Sequence, residues 1–409
     1  MAAFSGKENE IMADATKNTI KFYPVCNGDQ SLITLADKTT ILVDCNIRES
    51  AKGDDDEELY DVHDDLLKSI QKDKDGVPFV DVFILTHGDQ DHCRGFEANF
   101  YQGDPKKYSS TDKKNNLIRV DAMWFSPMIA EEHTNTDEDA YQTEAERRLK
   151  LHRNGDAAKD DPGNRIRIIG YDGNTKYEDL DDMRSVPGDV VSRFNDKDQD
   201  TFSIFIHSPF KEHLTSAEKD KNSTSIVFQA RFKEKKADTK FITLAIFGGD
   251  SDHYAWDTIL KKTKKSGKDT SESALNWDIF LAPHHCSWSF FNDRPQEDNT
   301  EPKKTSLEAL DYKRGTNPKV IASCKKIVAA KPNPPHDAAK KQYVKKVGDA
   351  NFWNTSTYEL KGKTPQPIIF EISTHGPVKA KAAENAARAA GGATTSVVKA
   401  VSSYGAKNI

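Results

Sequence analysis

One ten-residue stretch constrains this chain more than any other: Phe83-Ile84-Leu85-Thr86-His87-Gly88-Asp89-Gln90-Asp91-His92. Residues 81–85 are apolar and rich in β-formers, so they read as a buried strand that ends at Thr86. Two imidazoles and two carboxylates then follow within six residues, at His87, Asp89, Asp91 and His92. Such a loop can point several ligands into one cavity while the strand holds its root rigid. Imidazole plus carboxylate suits zinc, manganese or iron, and no thiolate is needed. The plainer reading is a solvated polar turn. Asp and His spaced this way after an apolar strand have little structural reason to exist, which favours the ligand reading.

Composition narrows the setting. No run of about 18 apolar residues exists, so no membrane span is expected. Residues 1–18 lack a basic segment followed by an apolar one, so no secretory leader is expected either. The five cysteines are odd in number and scattered, which fits a reduced, cytoplasmic protein. Cys93 and Cys286 sit beside candidate ligands, either as small buried filler or as metal contacts. The net charge of −6 is uneven: residues 310–409 hold 17 Lys or Arg against 6 Asp or Glu. That basic part suits either a phosphate-rich partner or a solvated surface.

Along the chain, residues 1–18 read as an N-terminal arm, and 19–24, 31–35 and 40–43 as short strands. Asn27-Gly28-Asp29 is a turn signal between the first two. An amphipathic helix is expected over 59–70, after an acidic block at 54–58, because Leu59, Val62, Leu66, Leu67 and Ile70 recur at helical spacing. Further strands are expected at 120–127, 201–206, 222–228, 241–247, 277–281, 319–323, 352–358 and 367–372, and helices at 137–153 and 337–347. Residues 129–200 are long and polar, and read as an insertion that borders the active site or offers a partner surface. Residues 379–409, rich in Ala, Gly and Ser, read as a tail. The domain between arm and tail is 19–378.

The segment HGDQDH resembles the metallo-β-lactamase signature His-x-His-x-Asp-His, with Asp89 in place of the second His. An Asp there is similar to the metallohydrolase domain of the DNA-uptake competence protein ComEC and its stand-alone relatives. The opening Gly28-Asp29 turn, the strand ending in Asp44, Gly249-Asp250, Pro283-His284-His285-Cys286 and a late Pro335-His336 extend the resemblance in order over about residues 21–373. It implies an α/β fold of the metallo-β-lactamase type, an αββα sandwich of two mixed sheets flanked by helices. It also implies two divalent cations, zinc or manganese, with His87, Asp89, Asp91, His92, Asp250 and His284 as ligands. His87 and Asp89 would serve one cation, Asp91 and His92 the other, and Asp250 both, since one carboxylate can hold two cations about 3.5–4 Å apart.

Asp91 counts among the catalytic groups as well as the ligands, and His336 stands as a proton donor. His285 competes with His284 for the role of ligand. His207, at the end of a strand where the fold often delivers a histidine, is a further candidate. Asp44 is expected to orient a ligating imidazole. The chain departs from the family pattern at Cys93-Arg94, where Ile-Gly is usual, and at Cys286, where Gly is usual. Losing that glycine restricts the turn.

Three classes of function compete. The resemblance implies a phosphodiesterase or nuclease acting on DNA; because a free nuclease would be toxic to its host, a multi-protein system such as antiviral defence, in which a partner gates it, is expected. The alternative is a metallohydrolase of a small ester, lactam or phosphorylated metabolite, because fold does not decide substrate. The third is a binding module with a decayed site, against which the full ligand set argues.

Overall fold

The computed structural model describes residues 17–49, 59–127, 129, 135–170, 177–210, 222–265, 271–298, 300–329 and 333–380. Most of the expected arm, the acidic block at 54–58 and the tail beyond 380 lie outside the described residues. The chain parts into two units, Met1–Lys379 and Ala380–Ile409, and all described structure except Ala380 belongs to the first.

Two mixed sheets dominate that unit. The first holds β1 (Thr19–Phe22), β2 (Ser31–Thr34), β3 (Thr40–Val43), β4 (Pro78–Ile84), β5 (Arg119–Phe125), β6 (Arg165–Ile169) and β7 (Arg184–Ser185). The second holds β8 (Val190–Val191), β9 (Phe202–Ser208), β10 (Val227–Phe232), β11 (Thr243–Phe247), β12 (Ile279–Leu281), β13 (Lys319–Ala322) and β14 (Phe352–Asn354). The chain then returns to the first sheet with β15 (Ile368–Ser373) and β16 (Gly376–Lys379), giving the order β16-β15-β1-β2-β3-β4-β5-β6-β7, with Gln71–Lys72 paired beside β4. The second sheet keeps sequence order, β8 to β14.

Each sheet is antiparallel on one side and parallel on the other. The switch comes at β3–β4 in the first sheet and at β11–β12 in the second. Parallel strands covered on both faces read as continuous apolar runs, as β4 and β11 do.

Strand alternation divides the core. Val82, Ile84, Trp124, Ile204, Phe228 and Phe247 belong to a cluster shared by the two sheets. Phe83, Met123 and Phe125 face the other way and pack with α1 (Val62–Ser69) and α2 (Thr136–Arg153). Ile246 and Phe280 pack outward against α3 (His253–Lys265), α4 (Lys304–Asp311) and α5 (Asp337–Val347). Two mixed sheets flanked by helices are therefore present. No described helix is long and apolar enough to cross a membrane.

The stretch 129–200, read from sequence as an insertion, supplies the last two strands of the first sheet, β6 and β7, and the edge strand β8 of the second. Its helix α2 docks through an apolar stripe of Tyr141, Ala145 and Leu149 and through buried charge beside it. Arg148 is fully buried, pairs with Glu144 at 2.7 Å and donates to the carbonyls of Val120 and Arg165 at 2.9 Å. A buried ion pair is tolerated when its remaining donors are satisfied in this way. The helix expected over 137–153 is thus present at Thr136–Arg153, and several of its charged residues lie in the core.

Candidate metal centre

The parallel strands of both sheets end at one place, and four of their loops meet there. Asp44 follows β3 with φ +55°, and His87, Asp89, Asp91 and His92 follow β4. Asp250 follows β11, and His284 and His285 follow β12. The turn between β1 and β2 adds Asp29, which the sequence reading had treated only as a turn residue. Gly28 makes that turn possible: its φ is +130°, and a Cβ there would lie 2.5 Å from the Asp91 carbonyl. Only glycine fits so close an approach.

Asp250 is the hub. Its Oδ2 faces Nε2 of His87 at 3.6 Å and of His284 at 3.7 Å. Its Oδ1 faces Nε2 of His92 at 2.9 Å and of His285 at 3.5 Å. Two ligand groups result, one of Asp29, His92, Asp250 and His285, the other of His87, Asp89 and Asp250. Asp89 lies 3.5 Å from His87, and Asp91 lies 3.1 Å from His285 on the open side.

Hydrogen bonds assign the imidazole tautomers. His92 Nδ1 donates to Asp44 Oδ2 at 2.9 Å. Asp44 also takes the Thr86 N–H at 2.7 Å and the Thr86 hydroxyl at 2.9 Å. With its proton committed, that hydroxyl accepts from His87 Nδ1 at 3.1 Å. In the same way Ser289 Oγ donates to Ser287 and accepts from His284 Nδ1 at 3.0 Å. His285 Nδ1 alone has a choice, lying 3.1 Å from both the Gly28 N–H and the Ser323 carbonyl. The Nε2 lone pairs of His87, His92 and His284 thus all point at one carboxylate. The 2.9 Å approach of His92 to Asp250 lacks hydrogen-bond geometry, and Asp250 Oδ1, His87 Nε2 and both Asp29 oxygens have no hydrogen-bond partner.

Such a set of buried lone pairs calls for positive charge at its centre. Burial and the His92 ring pull His87 down, yet Asp250 and Asp89 outweigh them and lift it to about 9. Burial likewise lowers His285, but Asp250, Asp91 and Asp29 carry it to about 9. His92 is raised well above the ordinary value, against burial, by Asp250 and Asp44. Burial lifts Asp29 to about 6 even beside His285 and His92. Asp250 and Asp91 are held below the carboxylate range by the imidazoles, although burial opposes this. Without a metal, protons supply the charge. A divalent cation fits the same donors.

Between the paired histidines, the structure puts His285 in the buried group, whereas the sequence reading preferred His284. His284 sits on the more open side, 25% exposed, facing the other oxygen of Asp250. The two point differently because His284, His285 and Cys286 form a left-handed turn, with φ of +49°, +52° and +64°. Each such non-glycine residue costs about 1–2 kcal/mol. Cys286 thus adopts the backbone a glycine would prefer, and strain held at a site of this kind is typical of function.

His207 is not brought into the centre. β9 runs through it, and alternation sets Ile206 inward and His207 on the outer face. There its Nε2 donates to the Ala274 carbonyl at 2.9 Å, and burial together with Arg231 lowers it to about 3. His336 caps α5 and also stays outside the ligand groups. Its Nδ1 accepts from the Trp288 N–H at 2.9 Å, which places its proton on Nε2.

Residues 135–138 brace the ligand loop from behind. Asn135 donates to the Gly88 carbonyl at 2.9 Å, and Gln90 donates to Asp137 at 2.7 Å. A Cβ on Gly88 would collide with Glu138 at 1.8 Å. Comparison with protein-family models and with curated proteins finds no match.

Proposed function

We propose that the protein is a metal-dependent hydrolase of the metallo-β-lactamase fold, similar to the ComEC metallohydrolase domain, and that it cleaves phosphodiester bonds of DNA. One observation carries the reading: each oxygen of the Asp250 carboxylate faces its own set of ligating nitrogens. Cations held at this carboxylate would supply a nucleophile at neutral pH and offset charge on a phosphoryl oxygen. His87, Asp89 and Asp250 would hold one cation, and Asp29, His92, Asp250 and His285 the other.

The remaining steps belong to this chain's own groups. Asp44 and Thr86 lock the His92 and His87 rings with their Nε2 lone pairs inward, which keeps the donor set assembled before metal arrives. Asp91, ionised and about a third exposed, is open to accept a hydrogen bond from substrate. His336, with its neutral-form proton on Nε2, is suited to donate a hydrogen bond to the leaving oxygen.

The test is cleavage of plasmid and single-stranded DNA with added manganese, comparing wild type with Asp91→Ala. Metal-dependent cutting lost in the variant is the expected result. A further mark is steep loss of binding with salt, since phosphate contacts release counterions. Metal-loaded protein that cuts no DNA but hydrolyses small phosphate esters would move the assignment to the small-molecule class.

A further inference from the structure

The outer face of the second sheet carries a grouping of the opposite charge. Arg231 lies on β10, in register with Ser203 of β9 and Leu244 of β11. Leu244 opens β11 whereas Asp250 follows its end, so the two places are up to about 20 Å apart along the strand. Arg231 is only 3% exposed. Its guanidinium lies between two rings, 4.4 Å from the centroid of Phe205 and 5.3 Å from that of Phe241. Nε donates to Gln229 at 2.6 Å, and the Gln229 amide is itself fixed on the Ser273 and Asn276 carbonyls.

Nη2 has no hydrogen-bond partner, and no acid among the described residues pairs with this guanidinium. Arg148, buried, and Arg119, part-buried, show what a satisfied guanidinium looks like. Arg148 pairs with Glu144 at 2.7 Å, and Arg119 with Asp121 at 2.6 Å. Two residues along the same face of β10, the Lys233 ammonium sits 5.6 Å from the Phe241 centroid. A cavity of about 240 Å³ opens beside both cations, with Thr201 and Ser203 in its wall. The one acid at its edge, Asp200, is already engaged by Lys236 at 2.9 Å.

We propose that this cavity is a second ligand site, separate from the metal centre, that binds a phosphate group through Arg231 and Lys233. A buried cation without a partner is costly, and a tetrahedral oxyanion offsets it. The planar guanidinium, clamped between two rings, presents its donors in the fork that phosphate oxygens match. Thr201 and Ser203 add neutral hydroxyl donors of the kind such sites use.

The test compares the full-length metal-loaded protein with Arg231→Met, which keeps the volume between the rings, by thermal melting with and without inorganic phosphate. Potassium chloride at matched ionic strength is the control, and any response of the metal centre is common to both proteins. In phosphate-free buffer the variant should melt at or above wild type. Phosphate should then raise wild type more than the variant, so that the order reverses. Lys233→Met leaves the stacked guanidinium in place and should weaken phosphate binding about tenfold by calorimetry. Equal phosphate responses in wild type and Arg231→Met would overturn the proposal. So would a wild-type advantage of the same size with and without phosphate, which would make the guanidinium a packing element.

Discussion

Two buried regions of this molecule have opposite charge problems. At the ends of the parallel strands, Asp29, Asp44, Asp91 and Asp250 gather around imidazole lone pairs with no lysine or arginine paired to them among the described residues. On the outer face of the second sheet, Arg231 lies buried near His207 with no carboxylate paired to it among the described residues. His92 and His207 are equally inaccessible, and burial lowers the proton affinity of both. Carboxylates reverse that effect in one place, and a guanidinium reinforces it in the other. Neighbouring charge, rather than depth, therefore decides which buried histidine holds a proton. It also tells which ion each region lacks: a cation at the strand ends, an anion on the outer face.

The most severe way to break the comparison is to remove the hub. Asp250→Asn keeps the volume of the carboxylate but takes its charge from both ligand groups. Metal content by elemental analysis should fall below half of the wild-type value, and metal-dependent hydrolysis should drop by about a thousandfold or more. Retention of full metal content would show that Asp250 is not shared.

The pH dependence of the metal-free protein comes next in size. His87 and His285 reach about 9 in the folded chain against about 6.5 unfolded. A raised histidine stabilises fully below 6.5, and its contribution is lost as pH climbs through 9. Each is worth about 3 kcal/mol by linkage. Metal-free protein should therefore lose several degrees of Tm between pH 6.5 and 9. Metal-loaded protein, in which cations replace those protons, should hold its Tm across that window. Parallel melting curves for the two forms would contradict the cation-for-proton exchange.

Thr86→Val tests a smaller part of the same region. It deletes the hydroxyl that joins Asp44 to His87 while preserving shape, and should weaken metal binding about 10- to 100-fold by titration, with the fold intact. Unchanged affinity would mean that the His87 tautomer is set elsewhere.

The residues of these two regions were unequally legible in the sequence. His87, Asp89, Asp91, His92 and Asp250 stand directly after apolar strands, and strand periodicity alone says where such residues emerge. The helix over 337–347 and the strand over 40–43 were read to the residue. Asp29 was passed over because an Asp after Asn-Gly has an ordinary explanation as a turn. Its role arises only when the turn meets His285, far along the chain. His285 was ranked below His284 because their order depends on a left-handed turn that Cys286, standing where glycine is usual, does not announce. The strand carrying His207 runs two residues further than its apolar pattern, and one step of alternation turns a would-be ligand to the other face. Polar α2 read as part of an insertion because Glu144 and Arg148, buried as a pair in the fold, look like solvent-facing charges in the sequence.

His207 offers the finest test of the contrast. Its folded value of about 3 lies below the unfolded 6.5, so the unfolded chain binds a proton first as pH falls. Stability on this account is unaffected above 6.5 and declines from there towards 3, by about 2 kcal/mol at pH 5. His207→Gln cannot titrate, yet its amide can still donate to the Ala274 carbonyl. Relative to wild type, the variant should therefore gain about 2 kcal/mol between pH 8 and pH 5, read as the change in urea midpoint at the two values. Adding Arg231→Met should shrink that gain, because the guanidinium is one of the two causes that keep His207 neutral. A gain that survives intact would assign the whole effect to burial, and the outer face would then differ from the metal centre in depth alone.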